Sequence, residues 1–409
     1  MADLSESADV VISGLGVVAS TGITVEDHWA AVLDGKTGIG HITRFGVDDS
    51  SVVLSGEVSG FDAWKTLPTR LVRGTEQSAH LALAAAKAAL DDCATDHAAL
   101  PDSQLAVVTA GSLGGDEAWR YDGYRSYEDG PSWLGPYKST AWVRSAATGK
   151  NSTGPDVRVL PRLSCVERTD GLDVIAQARR LLRGPSRLIV AGGVDREMCQ
   201  HVLLARTSGS CHLSTSDDPY LAYAPFDVNA RGHVLGEGGA ILVAERAENA
   251  RGRSYGSVLG HAAVFDQPGQ AGRESVLAGL IKRSLSDARL HSSDIDVVFA
   301  DAAGDPKLDR IEADAITAVF GPNSVPVTAP KTLTGRLHDG AALDVATALL
   351  ALRDGVIPHT AGTERLAPGI DLDIVLKEPR QRPLSTALVL GRGFRGLITA
   401  LVLGSGDRY

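Results

Sequence analysis

The groups in this chain that could do covalent chemistry are its thiols, and their spacing limits what that chemistry can be. Cys93, Cys165, Cys199 and Cys211 are scattered along 409 residues, without the close pairing of a metal site and too few for a disulfide framework. They read as free thiols. A thiol becomes a nucleophile where a helix N-terminus or a neighbouring cation supports its thiolate. Cys165 stands just ahead of a stretch with helical periodicity, residues 172–183. A second concentration of chemistry is aromatic: residues 114–160 have no clear period but carry Trp119, Tyr121, Tyr124, Tyr127, Trp133, Tyr137 and Trp142. That clustering suits a binding or partner surface, or equally a satellite core beneath a long loop.

Holding such groups in place requires a framework, and the chain has the pattern of a layered α/β fold. Apolar runs at residues 10–18, 105–110, 188–194, 240–245, 297–300 and 387–390 read as buried strands. Between them, residues 78–90, 172–183, 275–288, 309–320 and 341–352 place apolar side chains three and four apart, as amphipathic helices do. With 45 glycines and only 5% aromatic residues, many backbones should approach closely. Residues 249–254, rich in Arg, Gly and Asn, separate an N-terminal half (1–250, with the insertion at about 114–160) from a C-terminal half (251–409). No internal repeat is visible.

Composition excludes several function classes. Forty Lys and Arg against 50 Asp and Glu give a net charge of −10, so the global field opposes nucleic acid. The opening MADLSESADVVISG lacks a basic leader, and no segment approaches the roughly 20 apolar residues of a membrane span. A cytoplasmic location without membrane contact is expected.

Four segments in order resemble the β-ketoacyl synthases, condensing enzymes of the thiolase superfamily. They are VVISGLGVVASTGITVEDHWAAVLDGKTGI near the start, APFDVNARGHVLGEGGA at 224–240, VVFADAAGDPKLDRIEADAI at 297–316, and PKTLTGRLHDGAALDVATALLAL at 330–352. The resemblance implies a thiolase-like α/β fold, two similar halves stacked as alternating α-β-α-β-α layers. It also implies a Cys nucleophile at a helix N-terminus and two His residues that polarise a malonyl thioester. Aligned with the family, this chain has Arg168 at the Cys position, Asp301 and Arg336 at the two His positions, and retains only Lys331 and Glu312. A guanidinium with a pKa above about 12 is neither nucleophile nor base near neutral pH. An ionised Asp cannot donate a hydrogen bond. Catalytic residues are therefore expected to be absent. Cys165 lies three residues before Arg168, about 10 Å away along an extended chain, and reads as structural. His233 and His338 read as satisfied histidines off the catalytic positions. Arg168, at the positive end of a helix, should need Glu167, Asp170 or Asp173 as a partner.

An erased triad with KTLTGR in place of the His motif is similar to the chain length factor, or ketosynthase β subunit, of bacterial type II polyketide synthases. AGGVD at 191–195, LSTSDDP at 213–219 and DVATALLALRDGVIP at 344–358 extend the match. The usual member has Gln where Arg168 stands. The resemblance implies a heterodimer with an active ketosynthase α subunit, acyl carrier protein as second partner, and no cofactor beyond that protein's phosphopantetheine. It implies that Asp116, Trp119 and Gly123 line the end of the partner's acyl tunnel. There Trp119 would be a bulky stop and Gly123 would open space, while Asp116, with Arg120 nearest, either meets the guest chain, leaving a reduced or polyene chain open beside the usual aromatic product, or faces solvent or the partner's surface. A stand-alone synthase using Cys165, and a pure scaffold, remain the alternatives.

Overall fold

The computed structural model describes residues 10–47, 50–111, 124–130, 160–164, 168–196, 198–208, 212–266, 275–393 and 396–406. Its centre is an eleven-stranded sheet. The strands are β1 (Val10–Ala19), β2 (Leu105–Ala110), β3 (Leu160–Ser164), β4 (Leu188–Asp195), β5 (Gly238–Arg246), β6 (Gly256–Phe265), β7 (Val297–Phe299), β8 (Pro326–Thr328), β9 (Asp373–Ile374), β10 (Thr386–Arg392) and β11 (Leu397–Ser405). They run in the order β9-β8-β7-β10-β11-β6-β1-β5-β4-β2-β3.

The same pattern occurs twice. In β3-β2-β4-β5-β1 the first three strands are parallel and the rest antiparallel. In β8-β7-β10-β11-β6 the arrangement repeats, with β9 added at the edge. The halves meet where Val11 and Ile12 pair with Ser257 and Gly256. A repeat thus exists in topology that is not legible in the sequence.

Alternation along the strands sorts side chains into layers. Ile189, Ala191, Val389 and Leu401 face a middle layer built from α2 (Asp170–Leu181) and α5 (Ala342–Asp354). Leu188 and Val190 face outward onto α1 (Gln77–Asp92). Leu388, Leu390 and Val402 face outward on the other side, onto α3 (Val276–Ala288) and α4 (Pro306–Phe320). The result is helix, sheet, helices, sheet, helices, as the thiolase-like expectation requires. Local signals explain the helix starts. Asp305 caps α4 by accepting from the backbone N–H of Lys307 and Leu308, each at 2.9 Å, with Pro306 in the first turn.

Six strands and five helices fall where hydrophobic periodicity puts them, within a few residues at each end. Two long central strands, β6 and β11, lie outside that set. Among the described residues, no helix is long and apolar enough to cross a membrane.

Candidate functional site

The two middle helices begin at the same point. A Cβ on Gly171, in the first turn of α2, would lie 2.2 Å from the backbone nitrogen of Ala342 in α5, so only glycine permits this approach. The cavity at this junction is lined by Arg168 just before α2, by Lys331, Thr334, Arg336 and Asp344 with their neighbours around the start of α5, by Asp301 after β7, and by Gly391 in β10. Its volume is about 20 Å³, room for about one water and no more.

Arg336 and Asp301 face each other across it. Nη2 of Arg336 donates to both carboxylate oxygens, at 2.6 and 2.5 Å. The backbone N–H of Arg392 donates to the same carboxylate at 2.9 Å. Burial would raise the Asp301 pKa, but Arg336, Lys331 and Arg392 together hold it below the usual carboxylate value. Arg336 is correspondingly raised: burial opposes its charge, and Asp301 outweighs burial. Glu312, one face of α4, accepts the backbone N–H of Asp301 at 2.7 Å and of Ala302 at 2.8 Å. It thereby fixes a turn in which Ala302 has φ of 51°, a left-handed conformation unusual for a non-glycine residue. One turn earlier, Asp309 holds Phe226 (φ 62°) and Gly304 through their N–H groups, at 2.9 and 3.0 Å. Burial, with Glu312 adding to it, pushes the Asp309 carboxyl up to about 7. Lys331 donates to Asp344 at 2.7 Å, and burial raises that carboxyl too.

On the α2 side the arrangement is different. Nη2 of Arg168 lies 2.8 Å from Nε2 of His233. A guanidinium only donates, so that imidazole nitrogen is the acceptor and the ring is neutral. Burial, then Arg168, Arg336 and Arg206, depress the His233 pKa well below its ordinary value. Tyr223 packs at 6.2 Å from the His233 ring and donates its hydroxyl to the Ala302 carbonyl at 2.6 Å.

The expected positions Arg168, Asp301 and Arg336 therefore surround one cavity with Lys331, and Glu312 braces it from behind. Sequence reasoning sought carboxylates for Arg168, of which Glu167 is not among the described residues, and did not foresee His233 as a partner. The histidine sat in full view in the segment 224–240, but its register next to Arg168 depends on a 65-residue separation. Asp170 and Asp173 have other contacts: Asp170 accepts from Ser164 at 3.0 Å, and Asp173 from Thr169, Thr399 and His261. His338 is buried, and its backbone N–H donates to Asp195 at 2.9 Å. Asp116, Trp119, Arg120, Gly123, Cys165, Glu167 and Cys211 lie outside the described residues. Cys93 and Cys199 are buried thiols, Cys93 beside Ser13 and Glu245 and Cys199 beside His201.

Chemically, the described lining offers charge, from Arg168, Asp301, Lys331, Arg336 and Asp344. Among the described residues that line it there is no cysteine and no histidine. Asp195, His338 and Asp339 bring donor atoms within 4.8 Å of one another. The small cavity beside them, however, is lined by Arg168, Arg206 and Arg336, a cationic wall that suits carboxylates and opposes a metal ion.

This fold and these motifs match known proteins over most of the chain. The N-terminal domain of β-ketoacyl synthase matches residues 7–250 and its C-terminal domain residues 255–364. The chain belongs to the β-ketoacyl synthase family. The tetracenomycin polyketide synthase ketoacyl synthase beta subunit of Streptomyces glaucescens is 45% identical over 406 residues, covering 98% of this chain and 99% of the relative. The actinorhodin polyketide putative beta-ketoacyl synthase 2 of Streptomyces coelicolor is 43% identical, covering 96% and 98%. Within the family the chain thus groups with the ketosynthase β subunits of type II polyketide synthases. The solved ishigamide ketosynthase/chain length factor shares the fold at a TM-score of 0.87, with 23% identity and coverage of 98% and 100%. A type II polyketide acyl-carrier protein in complex with its ketosynthase gives the same TM-score, 0.87, at 21% identity, covering 98% of this chain and 100% of the matched one.

Proposed function

We propose that this chain is a non-catalytic subunit that pairs with an active ketosynthase α subunit, works with acyl carrier protein, and sets the length of the polyketide chain. The observation that carries the non-catalytic reading is the Arg336–Asp301 contact. Condensation needs a nucleophile and groups that polarise a thioester carbonyl. Here the two aligned His positions hold a guanidinium and a carboxylate that neutralise each other, and the aligned Cys position holds Arg168. The cavity between them has no space for an acyl group. The relative named as a ketoacyl synthase beta subunit supports the partnership, and the likeness to a ketosynthase/chain length factor supports the length-setting role.

In the length-setting reading Trp119 is the bulky stop. Removing it opens apolar space worth about 25 cal/mol for each Å² that a longer chain buries, on the order of 1 kcal/mol per added unit. The test is product analysis by mass spectrometry on the co-expressed complex. Trp119→Ala is expected to shift product towards longer chains, with Cys165→Ser leaving turnover intact. Unchanged length in an assembled Trp119→Ala complex would leave a scaffold only. Lost turnover in an assembled Cys165→Ser complex would restore a catalytic role.

A further inference from the structure

The buried face of α4 carries two carboxylates one turn apart, Asp309 and Glu312. Both accept from backbone N–H groups, and among the described residues neither has a cation within ion-pair distance. The cations of the cavity are committed, Arg336 to Asp301 and Lys331 to Asp344. Two like charges buried one turn apart without a counter-ion of their own keep a proton between them. Glu312 is the better placed to stay ionised, because its N–H contacts are shorter, 2.7 and 2.8 Å against 2.9 and 3.0 Å for Asp309, and because the Arg392 guanidinium favours its charge. The proton therefore resides on Asp309, whose carboxyl burial pushes up to about 7.

Asp309 joins three parts of the chain. One oxygen accepts from Phe226, in the segment that leads to His233, and the other from Gly304, in the turn after Asp301. Both residues have positive φ, 62° and 71°. The carbonyl of Phe226 accepts the N–H of Ala367, and that of Gly304 the N–H of Gly232, so this carboxyl ties residues 225–233 and 301–305 to α4. The groups that act on it are Glu312 from its own helix, Arg336 from the cavity, and Tyr223, whose hydroxyl burial keeps protonated. The other nearby carboxylates have partners: Asp301 has Arg336, Asp305 caps α4 and meets His212, and Asp227 accepts the N–H groups of Glu364 and Arg365.

We propose that Asp309 is a proton-operated staple: protonated, it holds the two segments on α4, and once ionised beside Glu312 it favours a local opening in which water reaches the carboxylate. By linkage, a carboxyl that holds its proton more tightly in the closed form than in water, where an Asp titrates near about 3.9, releases that proton on opening. Opening thus becomes more favourable as pH rises, and levels off above the pH at which the closed form ionises. The segment released is the one that leads to His233, the acceptor of Arg168. The staple is independent of the chain-length reading and stands or falls separately from it.

The test is amide hydrogen exchange read by mass spectrometry on the full chain, in the assembly in which it purifies, at pH 6 and pH 8 with the intrinsic exchange rates divided out. Protection of peptides covering residues 224–232 and 301–308 is expected to fall about tenfold from pH 6 to pH 8, while a peptide from α1 keeps its protection. Asp309→Asn, whose amide resembles the protonated acid and does not titrate, should remove the change. Glu312→Gln takes away the like charge and should move the step to lower pH. Equal protection in wild type at the two pH values, or a tenfold change that survives in Asp309→Asn, overturns the proposal. So does a fall of the same size in α1, which would mark global unfolding.

Discussion

The N-termini of α2 and α5 occupy equivalent places in the two halves, each following a parallel strand and each presenting buried cations to one cavity, yet they settle those charges differently. Beside α5, Lys331 and Arg336 meet ionised carboxylates, Asp344 and Asp301. Beside α2, Arg168 meets the neutral imidazole of His233. A positive helix end disfavours cations in both places. The α5 side answers with opposite charge, which is strong when paired and severe when broken. On the α2 side His233 accepts from Arg168 and must stay unprotonated to do so. The two solutions should therefore fail differently, by truncation on one side and by acid on the other.

The largest effect is expected from breaking the α5 side. Asp301→Ala strands Arg336 and leaves the N–H of Arg392 without its acceptor, a loss of about 3–5 kcal/mol in urea denaturation. Combining Asp301→Leu with Arg336→Met should recover most of that loss, because both charges leave together. A single-variant loss under about 1 kcal/mol would mean that the pair is not the organising contact of the cavity.

Lys331→Met should cost less, about 1–2 kcal/mol near neutral pH, since Asp344 is already pushed towards its protonated form by burial and can neutralise itself. A raised carboxyl binds its proton more tightly when folded than unfolded, so it adds stability at low pH that is lost as pH rises through the folded pKa. The deficit relative to wild type should accordingly be larger at pH 8 than at pH 5. A deficit independent of pH would show that Asp344 stays ionised without its lysine.

How much of this was legible beforehand follows from the range of the interactions. Periodicity located α2 and α5 because it is local, and quoted motifs located Asp301 and Arg336. That their charges satisfy each other across 35 residues was not legible, since each position was read singly as an erased histidine. β6 escaped for a related reason. GSVLGHAAVF begins in glycine and alternates only weakly, and its strand state is set by β11 and β1 on either side. The twofold repeat was invisible because hydrogen-bond topology is shared by the halves where side chains are not.

The smallest effect belongs to the α2 side and appears only in acid. His233 is neutral in the fold, with a pKa depressed by burial and then by Arg168, Arg336 and Arg206. In the unfolded chain a histidine takes up its proton near 6.5. The stability it contributes is thus fully present above about pH 6.5 and is lost as pH falls towards the folded pKa. Arg168→Gln keeps a side chain that can donate to Nε2 while removing one of the three cations, so the folded pKa should rise and the acid loss should become shallower. Between pH 7.5 and pH 5 the variant is expected to lose less stability than wild type, as read by urea denaturation at each pH. His28, buried and lowered to about 4 by desolvation, contributes an acid loss of its own to both proteins and cancels in the difference. Parallel pH profiles for the two proteins would show that Arg168 does not hold the imidazole neutral, and the contrast between the two helix ends would then reduce to burial alone.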